Sequence, residues 1–218
     1  MSTVRKRDAA ATRERILDAA EALFADRGYH GVSIREIVKQ AGVELALVHY
    51  YFGPKDALFR AVIDRRAAEH VGDHMAALEA LRAESDGPPG MDALIRAFCV
   101  PMFQKMSRGP EWRNYMHLLA HRAIVRQSEV FLAPYTANFE PVTRAFVAAF
   151  REALPGVDEK NLYYAVYFLG GAIIYALAET GNIERLSDGK VDSSDFDALL
   201  DRFVPFFTAG FLALAAGK

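Results

Sequence analysis

Cysteine is almost absent from this chain: Cys99 is the only one in 218 residues. One thiol excludes an intramolecular disulfide and fits a reducing compartment, so a cytoplasmic location is expected. The first residues, Met1-Ser2-Thr3-Val4-Arg5-Lys6-Arg7, lack the apolar stretch of a secretory signal. The uncharged run from Leu162 to Ala178 is interrupted by Gly170-Gly171 and tyrosines, and it falls short of the ~20 residues of a membrane span. It is therefore expected to be a buried helix, and no membrane partner is expected. Also missing are a P-loop, a GxGxxG turn, a G-x-S-x-G elbow and a cysteine-nucleophile signature. No catalytic residue, cofactor or resident metal is expected. There are no repeats, no Gly/Ser linker and no segment with strand periodicity, which leaves an all-α fold.

What is present is apolar residue at helical spacing. The hydrophobic fraction, 52%, excludes a largely disordered chain. The net charge is −2, but it is unevenly distributed: residues 1–70 carry 12 Lys/Arg against 10 Asp/Glu, and the rest carry 14 against 18. Arg5, Lys6, Arg7, Arg13 and Arg15 concentrate the positive charge near the N-terminus. Such an arm suits phosphates, and Arg5 to Arg7 alone would equally suit a solvated tail.

In chain order, a first helix is expected over about Ala10 to Arg27, with Ile16, Ala20, Leu23 and Phe24 as its apolar stripe. Gly28 to Gly31 reads as a turn. Ser33 can cap a second helix with Glu36 at the capping-box position, and Ile34, Ile37, Val38 and Ala41 share one face. Gly42 stops that helix by taking φ > 0, and another begins at once. Helix, tight turn, helix is the helix-turn-helix pattern, whose second helix enters the DNA major groove. Gly53-Pro54 breaks the chain before a long fourth helix that opens at Lys55 and continues through Leu81. Ser85 to Gly90 is a loop. Further helices are expected over about 91–106 (kinked at Pro101), 111–127, 129–154 (bent near Pro134 or Pro141), 158–179 and 194–216, with a polar loop between the last two.

Three segments then match one family in order and spacing. Ile16-Leu17-x-Ala19-Ala20-x-x-Leu23-Phe24-x-x-x-Gly28-Tyr29, the helix-turn-helix itself, and Tyr50-Tyr51-Phe52-Gly53-Pro54-Lys55-Asp56-Ala57-Leu58 together resemble the DNA-binding domain of the tetracycline-repressor (TetR) family. The resemblance covers roughly residues 10–60. It implies a three-helix DNA-binding domain over 1–60, joined by the long fourth helix to a helical domain over 61–218 that binds an effector and dimerises. It also implies a transcriptional regulator, a repressor released from its operator by a small apolar or aromatic molecule.

By that resemblance Tyr50 and Lys55 grip DNA phosphates, with Thr12 and Ser33 from the starts of two helices; packing is the other reading of Tyr50. Arg35 and Lys39 add positive charge. Base contacts would come from Glu44, Leu45, Ala46, Leu47 and His49. That turn departs from the family's habit of carrying a Lys or Arg, so no side chain there is built to read guanine.

Aromatic and sulfur-bearing residues on the middle helices can line an apolar effector pocket or simply fill a core. The candidates are Phe98, Cys99, Met102, Phe103, Trp112, Tyr115, Met116, His117 and Phe139, with Met106, Phe131 and Tyr135 from the same set. A helix apolar on two faces must be covered on both. On the last two long helices Tyr163, Tyr167, Gly171, Ile174, Tyr175, Phe203, Phe207 and Phe211 are assigned to a homodimer interface, and the resemblance implies a four-helix contact there. His70/His74 and His117/His121 are i, i+4 pairs that can share a metal, which would make a metal-responsive regulator; facing solvent or an interface is the other reading. A helical enzyme would be marked by turnover without DNA affinity.

Overall fold

The computed structural model describes residues 2–124 and 129–216, with side chains described over 7–121 and 137–216. Arg5, Lys6, Phe131 and Tyr135 therefore lie outside the described side chains. Ten helices and no strand occur among the described residues: α1 Ser2–Arg27, α2 Ile34–Ala41, α3 Leu45–Phe52, α4 Lys55–Glu84, α5 Met91–Met106, α6 Pro110–Ile124, α7 Glu129–Ala153, α8 Glu159–Leu177, α9 Asn182–Leu186 and α10 Phe196–Ala215.

The first turn of α2 is held as its sequence predicts. The Ser33 and Glu36 backbone N–H groups donate to Glu36 Oε2 (2.8 Å) and Ser33 Oγ (3.3 Å). This reciprocal cap satisfies two donors that a helix start leaves unpaired. Gly42 takes φ 61° and Val43 N–H reaches back to the Val38 carbonyl at 3.2 Å. A side chain with a Cβ is strained at that angle. Ile37, Ala41 and Val48 are buried, with Ile16, Leu23, Phe24, Leu58 and Phe59 beneath them, and Arg27 clamps Glu36 at 2.7 Å.

Two features differ from expectation. α1 begins at Ser2 rather than near Ala10. A five-residue helix, α9, sits in the loop expected between the last two helices. α5 covers the expected 91–106 with Pro101 inside it, and α10 contains Pro205.

α4 is the shared element. Its first turns pack on α1 and α3, and its later turns pack on α5 and α7. α1 also packs against α6, so the small N-terminal unit rests on the larger one through more than α4. Glu21, 2% exposed on α1, accepts from Arg66 Nε at 3.1 Å and lies 2.8 Å from Arg65 Nη2. Arg66 in turn stacks over the Trp112 ring of α6 at 5.2 Å. Charges this buried are tolerated because each has an opposite partner. α10 lies against α5 and α8 and closes the larger unit.

Candidate functional site

Three regions hold expected functional residues: the exposed surface of α2, α3 and the start of α4, a cavity under the later turns of α4, and the outer surface of α8 and α10.

On the first, Arg35, Lys39, Glu44, Leu45, Ala46 and His49 are exposed and Leu47 is half-buried. Tyr50 stands furthest out, 81% exposed, with its ring edge against Tyr51. Glu44 sits at the N-cap of α3, yet its carboxylate makes no cap hydrogen bond, which leaves it available to a ligand. His49 Nδ1 lies 3.2 Å from the Gly53 carbonyl, so its other nitrogen faces outward as the acceptor when the ring is neutral. Lys55 opens α4 with its ammonium 4.1 Å over the Tyr29 ring. Partial burial pulls its pKa down, and Glu36 partly restores it. Arg13 covers the Phe52 ring at 5.2 Å, which ties α1 to the end of α3. Two hydroxyls expected on phosphates are already engaged. Ser33 Oγ donates to Glu36 Oε2 at 2.7 Å, and Thr12 Oγ1 donates to the Asp8 carbonyl at 2.8 Å.

Beneath α4 lies a cavity of about 110 Å³. Of the candidate pocket residues, Phe98, Met102, Met116 and Phe139 line it, together with Leu119, Ala120, Val142, Ile173 and Leu177. Five expected residues are elsewhere. Cys99 is fully buried in the core, and that burial pushes its thiol pKa up. Phe103 stacks on Phe196 and meets Phe203 edge-on. Trp112 carries Lys105 at 4.1 Å and Arg66 and Arg108 on its ring, outside the cavity lining. Tyr115 is buried between Trp112 and His70, with its hydroxyl on a backbone carbonyl. His117 Nε2 meets Glu179 at 2.8 Å. Helical spacing indicates which residues face inward together, but not which of them border a void.

The cavity's polar wall comes from His70 and His74, which the sequence reading placed in solvent or at an interface. They are 6% and 3% exposed. A signal was available: Ala67, His70, His74 and Leu78 fall on one helical stripe whose ends are apolar. His74 Nδ1 donates to the His70 carbonyl at 2.8 Å, while His70 Nδ1 has no partner. Burial holds both pKa values below the usual 6.5, His70 well below, and the Lys105 charge on α5 adds to this. Among the described residues no group of three or more His, Cys, Asp or Glu is placed to hold a metal, and His117 is engaged by Glu179 rather than by a second histidine pair.

The outer surface of α8 and α10 is aromatic. Tyr163, Tyr164, Tyr167, Phe168 and Tyr175 on α8, with Phe206 and Leu212 on α10, are exposed. The opposite face of α8, from Leu162 through Ala165, Leu169 and Ile173 to Leu177, is buried. Two expected interface residues turn inward. Phe211 packs on Phe150 at 4.9 Å within the chain, and Ile174 lines the cavity. Tyr164, Phe168 and Phe206 take their places outside. An apolar groove of about 560 Å³ runs between the two helices, bounded by Ala165, Phe168, Phe206 and Phe207. Among the described residues α10 is also the one helix long and apolar enough to cross a bilayer by length and composition.

Residues 16–62 match the family model described as bacterial regulatory proteins, tetR family, and residues 96–210 match the model described as tetracyclin repressor-like, C-terminal domain. The chain belongs to the TetR family. It is a DNA-binding transcriptional regulator with the helix-turn-helix at its N-terminal end. One TetR-family relative, the HTH-type transcriptional activator FasR of Mycolicibacterium smegmatis, is 34% identical over 87 residues, 39% of this chain and 38% of that one. The match thus spans well under half the length of this and other curated relatives. Whole-chain likeness is seen in solved structures. The hemolysin II transcriptional regulator HlyIIR superposes with a TM-score of 0.63 at 21% identity, over 92% of this chain and 98% of that one. FadR from Bacillus subtilis, solved in complex with stearoyl-CoA, gives 0.60 at 18% identity over 90% and 98%. At such identity the structures speak for the shared fold.

Proposed function

We propose that this TetR-family regulator is a homodimeric repressor that leaves its operator when a small apolar molecule occupies the cavity under α4. Residues 1–60 form the DNA-binding unit and residues 61–218 the effector and dimer unit. The protein acts in the cytoplasm, where its DNA is, and has no catalytic step. The observation that carries this reading is the continuity of α4: one helix, Lys55–Glu84, holds Lys55 at its DNA end and His70 and His74 in the cavity wall.

Lys55 and Tyr50 bind phosphates, while Glu44, Leu45, Ala46, Leu47 and His49 face base edges. Arg35 and Lys39 supply further charge. Phe98, Met102, Met116 and Phe139 hold the effector with the two histidines. The exposed aromatic surface of α8 and α10 is covered by the same surface of a second subunit, an isologous contact of the kind a two-fold dimer requires. That contact also explains an apolar helix in a DNA-binding protein: Phe196, Leu200, Val204 and Phe211 face the subunit core, and Phe206 and Leu212 face the partner. A ligand in the cavity favours one tilt of α4. The tilt changes the separation of the two α3 helices, which must match half-sites at fixed helical spacing.

The test is selection from a pool of random duplexes followed by sedimentation of the complex. Enrichment of an inverted repeat bound by two subunits is expected. A pool that remains random at low salt would remove the DNA reading of α3, and a one-subunit complex would remove the dimer.

A further inference from the structure

The polar content of the cavity is unusual for an apolar site. Its lining holds no carboxylate and no ammonium; His70, His74 and Thr143 are its polar members. The Thr143 hydroxyl is committed as a donor to the Phe139 carbonyl at 3.2 Å. His74 is oriented by its bond to the His70 carbonyl. His70 differs: it is only 6% exposed, and its Nδ1 has no hydrogen-bond partner. A buried polar atom without a partner is costly and signals either strain or a missing ligand.

We propose that the occupant is a compact weak acid, a carboxylic acid on a single-ring or short-chain apolar body, bound as its carboxylate together with one proton taken up by His70. This rests on the cavity being the effector site. Size limits the body: a dry cavity of ~150 Å³ accepts benzene, and this one is smaller at about 110 Å³, so a short chain fits it as it stands and a single ring enters only as lining side chains shift.

Charge selects the head group. The groups facing the histidine pair are Lys105 and, through it, Asp73 from α5 and α4, and Tyr115 from α6; the α7 and α8 walls contribute Phe139, Ile173 and Ile174. Lys105 is itself buried and paired with Asp73, with Glu69 at 3.9 Å. Lack of solvent, and after it the charges of His74 and Lys105, hold His70 below its usual value. An ammonium would find no carboxylate in the lining to pair with, whereas a carboxylate can pair with a protonated imidazole. A bare carboxylate in an apolar cavity is strongly disfavoured unless paired. The proton supplies the pair: it comes from solvent, adds to the imidazole, and leaves a neutral imidazolium–carboxylate unit. The complex thus holds one proton more than free protein plus free carboxylate.

The sign follows. The His70 pKa lies below 6.5 in the empty protein and is raised by the bound carboxylate. Affinity is highest at acid pH and falls by up to about tenfold per pH unit as pH rises between those two values.

The experiment is calorimetry on the full chain with benzoate, benzyl alcohol and benzylamine, in phosphate and in Tris near neutral pH. Benzoate is expected to bind with uptake of about one proton and to weaken at higher pH. Benzyl alcohol should bind without uptake, and benzylamine should not bind. His70→Gln should abolish the uptake and the preference for benzoate; if it fails to fold, the wild-type pH profile alone decides. Benzoate and benzyl alcohol binding alike, with no proton taken up, would overturn the weak-acid assignment and leave the cavity as a ligand site. None of the three binding would overturn the assignment, and Ala120→Leu, which fills part of the cavity, then tests the effector site independently.

Discussion

The Tyr115 hydroxyl donates to the main-chain carbonyl of Ile63 at 2.9 Å. Tyr115 is on α6, and Ile63 is in α4 between Lys55 and the cavity. The Tyr115 ring also lies 6.3 Å from the His70 ring and 5.8 Å from that of Trp112. One buried side chain therefore ties α6 to α4 between Lys55 and the cavity, to His70 in the cavity wall, and to the cation cluster on Trp112.

Tyr115→Phe should cost about 1 kcal/mol of stability, the usual net value of such a bond, because the ring still packs and the Ile63 carbonyl keeps its place in the helix. Ligand and DNA binding should each survive while their mutual effect shrinks. A variant with the full wild-type effect of ligand on DNA affinity would remove this bond from the route between the sites.

Lys55→Ala should weaken binding by a similar factor for every duplex sequence, since phosphate contacts position without specifying. Log affinity against log salt should become shallower by about 0.9, one phosphate's share. Fluorescence anisotropy across a salt series reads both, and an unchanged slope would take Lys55 off the phosphates.

Tyr167→Glu and Phe206→Glu should each yield a folded monomer with reduced duplex affinity. These side chains are 74% and 73% exposed in the subunit, so a charge there is solvated in the monomer and desolvated only in a dimer. Loss of the second half-site removes the gain from tethered binding. Sedimentation showing an intact dimer would move the interface elsewhere.

Glu36 gives a pH prediction. Hydrogen bonds from the Ser33 side chain and backbone, then from Arg27, lower its pKa from 4.5 to about 2. A depressed folded-state pKa means that the carboxylate's contribution is fully present above the unfolded value and is lost as pH falls through the folded one. The helix-turn-helix should thus loosen between about pH 4.5 and pH 2, and Glu36→Gln should show that looseness already at neutral pH. Amide exchange in α2 measures it; identical protection in the variant at pH 7 would show the cap to be without consequence.

Much of this architecture was legible from residue order, because it depends on local rules. The Ser33–Glu36 cap, the left-handed Gly42, the break at Gly53-Pro54 and the loop at 85–90 each follow from chemistry within a few residues. The two apolar faces of α8 were legible from spacing as well. The cavity was less so. Phe103 and Met102 are neighbours on α5, yet one stacks on Phe196 in the core and the other borders the void. That choice is made by how α4, α5, α7 and α8 are placed, which no single helix encodes. The histidines are polar side chains in an apolar register: His70 and His74 share a stripe with Ala67 and Leu78, and register decides their burial. Ile174 and Phe211 show the same limit on α8 and α10, where one step around a helix separates the core from the outer surface.

The most direct test of the link between cavity and DNA needs no knowledge of the effector. Ala120 lines the cavity and is buried, so Ala120→Leu fills part of the void from within. Duplex affinity of this variant, measured against wild type on the same selected duplex, should fall by roughly 5–150-fold, the usual range of coupling between sites, while the thermal melt stays cooperative. A cooperatively folded Ala120→Leu protein that binds the duplex as tightly as wild type would contradict the account.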